Sequence, residues 1–267
     1  MAALRARSKE GELSVGSAAA WMLTGTLLFL LYLPLIPPLL FSVGLAEPGA
    51  QAITFAAYGQ LWGNPVLVTA MGTTIEVAVI VGVAAPALGL LAALAVRELA
   101  IPRLVMLLVL LPLFIPGVSM GLASAFFFRE LGIAPSLLTV AVVQIVWALP
   151  FATLVIMTVM STFDPVLLEA AYVAGANRLR GFIDVELPLI RPGVIGAALF
   201  SLILSFNETI RTSLVQGPLN TVQTYIWSTY KQTGLSATIY ALMTSLILLT
   251  LALIAGILVI GRSRRTT

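Results

Sequence analysis

Glu169-Ala170-Ala171-Tyr172-Val173-Ala174-Gly175, followed by Asn177, Arg178, Arg180, Asp184, Glu186 and Leu187-Pro188, forms a charged interruption between two apolar stretches. These residue types suit docking rather than bond making, and on composition alone they equally describe an amphipathic surface loop that only connects two spans. Glu169 falls on a helix face that can meet a cation, the alanines let another surface approach, and Gly175 permits a tight turn. Arg178 and Arg180 either pair with acidic partner groups or anchor the segment on the basic side of a membrane. A second set of polar residues is embedded in apolar runs: Glu76, Gln144 with Trp147, and Asn207 with Glu208 and Arg211. Ionisable groups at bilayer depth are costly, so each is a candidate for a solute pathway; for Glu76 the alternatives are helix pairing and a lipid-facing position without function. For Glu208 and Arg211, one helical turn apart, the alternative is a salt bridge near the interface. For Gln144 and Trp147 it is a hydrogen bond that ties two helices together. With neither cysteine nor histidine, the chain lacks thiolate and imidazole ligands, which excludes the usual metal and histidine-dependent chemistry.

The elements that must hold these residues are membrane helices. Sixty per cent of the 267 residues are apolar and nine per cent charged, with a mean hydropathy of +1.08, more hydrocarbon than a soluble core hides. The basic residues form no dense tract interleaved with aromatics, which argues against nucleic acid. Apolar runs near the roughly 20 residues that cross a bilayer recur at 19-43, 67-95, 104-127, 136-160, 193-207 and 237-261. The fifth is short unless its helix starts near Arg191 and continues through Asn207. The first is too long, and lacks the small-residue cleavage site, for a secretory signal, and is read as a retained helix. Prolines within the spans (Pro34, Pro37, Pro38, Pro86, Pro112, Pro116 and Pro150) predict kinked helices, which either shape packing or help open and close a pathway.

The positive-inside rule orients the spans. A cytoplasmic N-terminus puts Arg5, Arg7, Lys9, Arg97, Arg103, Arg178, Arg180, Arg191, Arg262, Arg264 and Arg265 on one side, eleven of the fourteen basic residues. Arg129, Arg211 and Lys231 fall opposite, with Tyr58, Trp62, Tyr225, Trp227, Tyr230 and Tyr240 near the outer interface. The chain therefore reads as a cytoplasmic N-terminal segment (1-18), a single six-helix membrane domain (19-261) containing a cytoplasmic loop (162-192), and a basic cytoplasmic tail (262-267). No internal repeat or flexible linker divides it. Within the loop, Pro165 starts a helix after Asp164, Gly175 turns the chain, and Asn177 caps a second short helix through Phe182. Pro188 and Pro192 are expected to limit that second helix.

The tripeptide Glu169-Ala170-Ala171, Gly175 four residues after Ala171, and Leu187-Pro188 twelve residues after Gly175 resemble the EAA loop of permease subunits of binding-protein-dependent ATP-binding cassette importers. The loop falls before the penultimate span, where that family places it. Val185 stands where isoleucine is common, a conservative departure. The resemblance implies an all-α membrane protein of six transmembrane helices with the type I importer permease (MetI-like) fold, sited in the bacterial cytoplasmic membrane. It implies no catalytic residue and no cofactor on this chain, ATP and magnesium being held by a partner. Glu169, Ala170, Ala171 and Gly175, with Arg178 and Arg180 beside them, become the ATPase-coupling candidates. The implied partners are a second permease subunit, paralogous in the polyamine branch, two copies of a cytoplasmic ATPase, and an extracytoplasmic solute-binding protein.

Ser205-Phe206-Asn207-Glu208, Gln216-Gly217-Pro218 and Thr224-Tyr225-Ile226-Trp227 resemble the matching region of polyamine, opine and 2-aminoethylphosphonate permeases. That resemblance favours a small, charged, nitrogen-containing solute, and leaves 2-aminoethylphosphonate or an amino-acid derivative as alternatives to a polyamine. Two other classes stand beside it. An ion-gradient-driven secondary transporter would use Glu76 as proton carrier and would not need the hairpin. A membrane scaffold would show six helices and a docking loop without solute-dependent ATPase stimulation. The importer reading accounts for the loop's residues, spacing and topological position together.

Overall fold

The computed structural model describes residues 19–45 and 53–263, with side chains described through residue 251. Arg5, Arg7 and Lys9 of the 1-18 segment, and Arg264 and Arg265 of the tail, lie outside the described residues. The apolar runs form α1 (Ala19–Ser42), α2 (Ala56–Trp62), α3 (Pro65–Glu98), α4 (Pro102–Phe114), α5 (Gly117–Glu130), α6 (Leu137–Met160) and α7 (Val166–Val173). They continue as α8 (Arg178–Phe206), α9 (Ile210–Val215), α10 (Val222–Thr233) and α11 (Ala237–Ser263). Among the described residues, α1, α3, α6 and α8 are each long and apolar enough to cross a membrane, and the bent pair α4 and α5 makes a fifth span if counted as one. The apolar stretch of α11 with described side chains is Ala237–Leu251.

The chain divides into two compact units, residues 1–64 with 233–267, and residues 65–232. In the first, α11 packs on α2 and on the second half of α1. Phe41 stacks on Tyr240 with ring centroids 4.8 Å apart, Ser42 Oγ lies 2.9 Å from the Tyr58 hydroxyl, and Thr238 Oγ1 donates to Gln60 Oε1 at 2.8 Å.

In the second unit α3, α6 and α8 pack mutually. Val77, Val81, Ala85, Val143, Ala152 and Ala197 belong to their shared core. Small residues set the separation, because close backbone approach is what drives helix association where the surroundings are as apolar as the side chains. A Cβ on Gly89 of α3 would stand 3.0 Å from both Ala152 Cβ and the Thr153 nitrogen of α6. Ile75, Val79, Val83 and Leu91 of α3 are exposed, the pattern of a helix with hydrocarbon rather than water outside it.

Two expectations differ from the structure. The stretch read as one span over 104-127 is two helices meeting at 103°. Ile115 is extended (φ −90°, ψ 123°) and Pro116 likewise (φ −54°, ψ 137°); a proline forces the preceding residue out of the helical region and cannot donate across the break. Conversely, the second hairpin helix does not stop before Pro188 and Pro192. It runs from Arg178 to Phe206 because residues Gly181–Glu186 form a π turn. There the Leu187 N–H donates to the carbonyl of Phe182, five residues back. Immediately after this widened turn comes Pro188, which has no N–H to place in the ladder.

Candidate functional site

The polar interruption folds as a helix, turn and helix. Asp164 Oδ1 accepts the Val166 N–H at 3.0 Å and so caps the start of α7. At its other end Gly175 adopts φ +92°, a left-handed conformation costing other L-residues roughly 1–2 kcal/mol. Its N–H donates to the Tyr172 carbonyl, and that of Ala176 to the Ala171 carbonyl, both at 3.0 Å, which satisfies the last carbonyls of α7 by a Schellman motif. Asn177 Oδ1 then accepts the Arg180 N–H at 2.9 Å and caps α8. Glu169, Ala170, Gly175, Arg178 and Arg180 are exposed and Ala171 is half-buried. Val173, beside the turn, is 91% exposed. A Cβ added at Gly175 would meet nothing within 4 Å, so the turn itself is an open surface.

Behind this surface lies a cleft of about 690 Å³ whose walls include Leu94, Arg97, Glu169, Tyr172, Arg178 and Glu186. Glu186 is 1% exposed. The Arg97 guanidinium at the end of α3 grips it with two nitrogens, Nη1 on Oε1 and Nη2 on Oε2 at 3.2 Å. Arg97 Nε also donates to Glu98 Oε1 at 3.0 Å. In the sequence Arg97 reads only as a topological charge, and Glu186 has no evident partner. The two are 89 positions apart, and no local pattern links them.

The residues considered for a solute pathway separate into a cluster and two outliers. Gln144 of α6 is buried; its Nε2 donates to Thr212 Oγ1 at 2.8 Å and its Oε1 accepts from Ser205 Oγ at 2.5 Å. Thus α6, α8 and α9 are tied through one amide. Glu208, between α8 and α9, accepts the Arg211 main-chain N–H at 2.8 Å and Arg211 Nη1 at 2.7 Å. The Arg211 guanidinium carbon lies 3.8 Å from the centroid of the half-buried Trp147 ring. Gly117, the first residue of α5, lies against the same guanidinium, where a Cβ would be 3.3 Å from its central carbon. The bend after Pro116 therefore rests on this ion pair. Trp147 in turn meets Phe151 edge-on at 5.2 Å.

Asn207 stands apart, exposed, with its Nδ2 donating to the Ile203 carbonyl of its own helix at 2.8 Å. Glu76 is exposed on α3 among Ile75, Val79 and Ile80. Among the described residues it has no ion-pair partner, and no three Asp or Glu side chains converge as a metal site. The arrangement offers an exposed helix-turn-helix surface at one end and a charge-compensated, internally bonded cluster elsewhere.

Residues 85–265 match the family model described as the binding-protein-dependent transport system inner membrane component. The spermidine/putrescine transport system permease protein PotC of Escherichia coli (strain K12) is 26% identical over 238 residues, 88% of this chain and 90% of that protein. The putrescine transport system permease protein PotI of the same organism is 27% identical over 197 residues, 70% of each chain. Among solved structures, a bacterial ABC transporter involved in the import of the acidic polysaccharide alginate aligns with a TM-score of 0.69 at 15% identity, covering 91% of this chain and 95% of that one. A bacterial alginate ABC transporter in complex with an alginate pentasaccharide-bound periplasmic protein gives 0.67 at 21% identity, covering 93% and 94%. At such identities the two structures establish the fold alone.

Proposed function

Because the chain belongs to the family of binding-protein-dependent transport system inner membrane components, and is thus a multi-pass permease of an ATP-binding cassette importer, we propose that it couples solute passage to a partner ATPase through the 166–180 hairpin. Glu169, Ala170, Ala171 and Gly175 form the docking face, and Arg178 and Arg180 offer charge to acidic groups of the ATPase. Two ATPase subunits hold the ATP and magnesium, and this chain supplies no catalytic group. A second, paralogous permease completes the pathway and an extracytoplasmic binding protein delivers the solute. Both termini and the hairpin face the cytoplasm, on the side holding eleven of the fourteen basic residues.

The observation that carries this reading is the Gly175 turn. The left-handed glycine, with its flanking caps, projects an apolar Val173 and a row of small residues from an otherwise bonded segment. A rigid, preorganised face of this kind loses little conformational freedom on docking. Force applied there reaches α8 through the Gly175 turn, and α8 then runs as one helix from Arg178 to Phe206.

For cargo, the likeness to two polyamine permeases over most of the chain supports a small cation such as spermidine or putrescine. Glu208 is already neutralised by Arg211. Glu76 is an exposed carboxylate of α3 with no ion-pair partner among the described residues. Although its neighbours Ile75 and Val79 are apolar and exposed, it is the residue we assign to the cation, on a face that would then line the pathway between permease subunits rather than meet lipid. Gln144, Trp147, Asn207 and the Glu208–Arg211 pair shape the pathway wall rather than hold charge for the solute.

The test is Gly175→Arg in the assembled complex. It is expected to reach the membrane at normal levels while ATP hydrolysis no longer drives uptake. Uptake at the parental rate would remove the hairpin from the coupling path.

A further inference from the structure

Glu186 has lost nearly all contact with water, and a buried carboxylate persists only where a partner compensates it. Its partner is a forked, two-point contact from Arg97, the geometry in which a guanidinium fixes orientation as well as charge. Glu186 is the last residue of the π turn. A helix advances about 100° per residue, so the extra residue accommodated in that turn rotates the remainder of α8 relative to α7 and the turn. Glu186 is buried against Arg97 of α3, while Ile183 and Asp184 of the same turn are exposed. On the other side of the contact, Arg97 occupies the last turn of α3, where a cation is favoured by the helix dipole.

A second contact fixes α7 to the same turn. The Tyr172 ring lies so close to Gly181 that a Cβ there would come within 2.8 Å of its Cε1. The Schellman turn, the Tyr172 contact and the Arg97–Glu186 pair thus connect the exposed hairpin face to α3. That helix packs along both α6 and α8.

We propose that Arg97 and Glu186 are positioning residues that lock the hairpin to the end of α3, so that hairpin and α3 move as one body when the hairpin is pushed. This rests on the reading of the hairpin as the coupling element, but the lock can be measured without it. Two unlocked helices would dissipate the push in the π turn, the irregular segment between the hairpin tip and the membrane span. With the lock in place the displacement is delivered to the helix that carries Glu76.

The chain contains no cysteine, so Val166→Cys on the hairpin and Leu91→Cys on α3, both at exposed positions, create a single spin-label pair. Electron–electron distance measurements are made on the permease complex with and without the ATPase, and with the ATPase trapped by ATP and vanadate. The expected result is one narrow distribution, unchanged by trapping. Arg97→Gln and, separately, the near-isosteric Glu186→Gln are each expected to widen it about twofold and make it shift on trapping. In uptake measurements they should lower the maximal rate about tenfold, the scale of a coupling-path substitution, with an unchanged half-saturating solute concentration. Distributions in both variants indistinguishable from the parent would overturn the lock. A wild-type complex that retains no ATPase would instead overturn the coupling reading, while widening of the ATPase-free distribution still reports on the lock.

Discussion

Replacing Arg211 with alanine strands the Glu208 carboxylate in a site where it is 7% exposed. Breaking a buried ion pair from one side costs about 3–5 kcal/mol, because the remaining charge is left uncompensated. The guanidinium also lies over Trp147, and losing a desolvated cation–π contact adds about 1–2 kcal/mol. At roughly 2–4 °C per kcal/mol for a unit of 150–250 residues, Arg211→Ala should lower the unfolding temperature by at least about 8 °C. Removing both charges behaves differently. A buried pair exchanged for neutral groups of similar volume is often close to neutral, and Arg211 Nε already lacks a hydrogen-bond partner. Glu208→Gln combined with Arg211→Met should therefore recover most of the loss. The assay is intrinsic-fluorescence thermal unfolding of the purified complex in detergent for the parent, both single variants and the double variant. A shift below about 2 °C for Arg211→Ala, or a double variant as unstable as the single one, would refute the assignment of the pair as the support of the α4–α5 bend.

Gln144→Leu removes the donor to Thr212 and the acceptor of Ser205 at once, both buried, and should cost about 1–3 kcal/mol for each hydroxyl left unsatisfied, read in the same unfolding assay. Gly89→Leu forces side-chain volume against Ala152 and the Thr153 backbone. Overpacking of about 1–3 kcal/mol should appear as lower stability and looser α3–α6 packing in hydrogen exchange. Glu76→Gln alters an exposed side chain and should leave the unfolding temperature unchanged. It should slow spermidine uptake several-fold, and uptake at the parental rate would remove Glu76 from the pathway.

The spans at 19-43, 67-95 and 136-160 were legible because a crossing helix must be apolar over its whole length, and α1, α3 and α6 end within a few residues of those limits. Hydropathy records length but not direction: Pro116 predicts a kink, but not one of 103° that leaves two separate helices. Pro86, Pro112, Pro150 and Pro192 carry the same local signal and remain inside helices. The neighbouring Gly117 against Arg211 is a tertiary contact that no local window contains. The hairpin was readable because its determinants are short-range: Asn177 caps three residues ahead, and Gly175 closes a turn on residues just behind it. Glu208 and Arg211 were paired by the same logic of one helical turn. The Arg97–Glu186 and Gln144–Thr212 contacts span 89 and 68 positions. Nothing in one sequence links such residues before the helices are packed. The early end assigned to the second hairpin helix overlooked how a π turn lets a helix pass a proline.

The central claim is that ATP hydrolysis on a partner, transmitted through the hairpin, drives solute across this chain. Its most direct measurement is uptake of labelled spermidine into sealed proteoliposomes containing the complete complex and its solute-loaded binding protein, with ATP supplied on the ATPase side. Uptake should require ATP, persist in the presence of an uncoupler, and be abolished by Gly175→Arg with the complex still assembled. Uptake without ATP that collapses when the ion gradient is dissipated would contradict the claim.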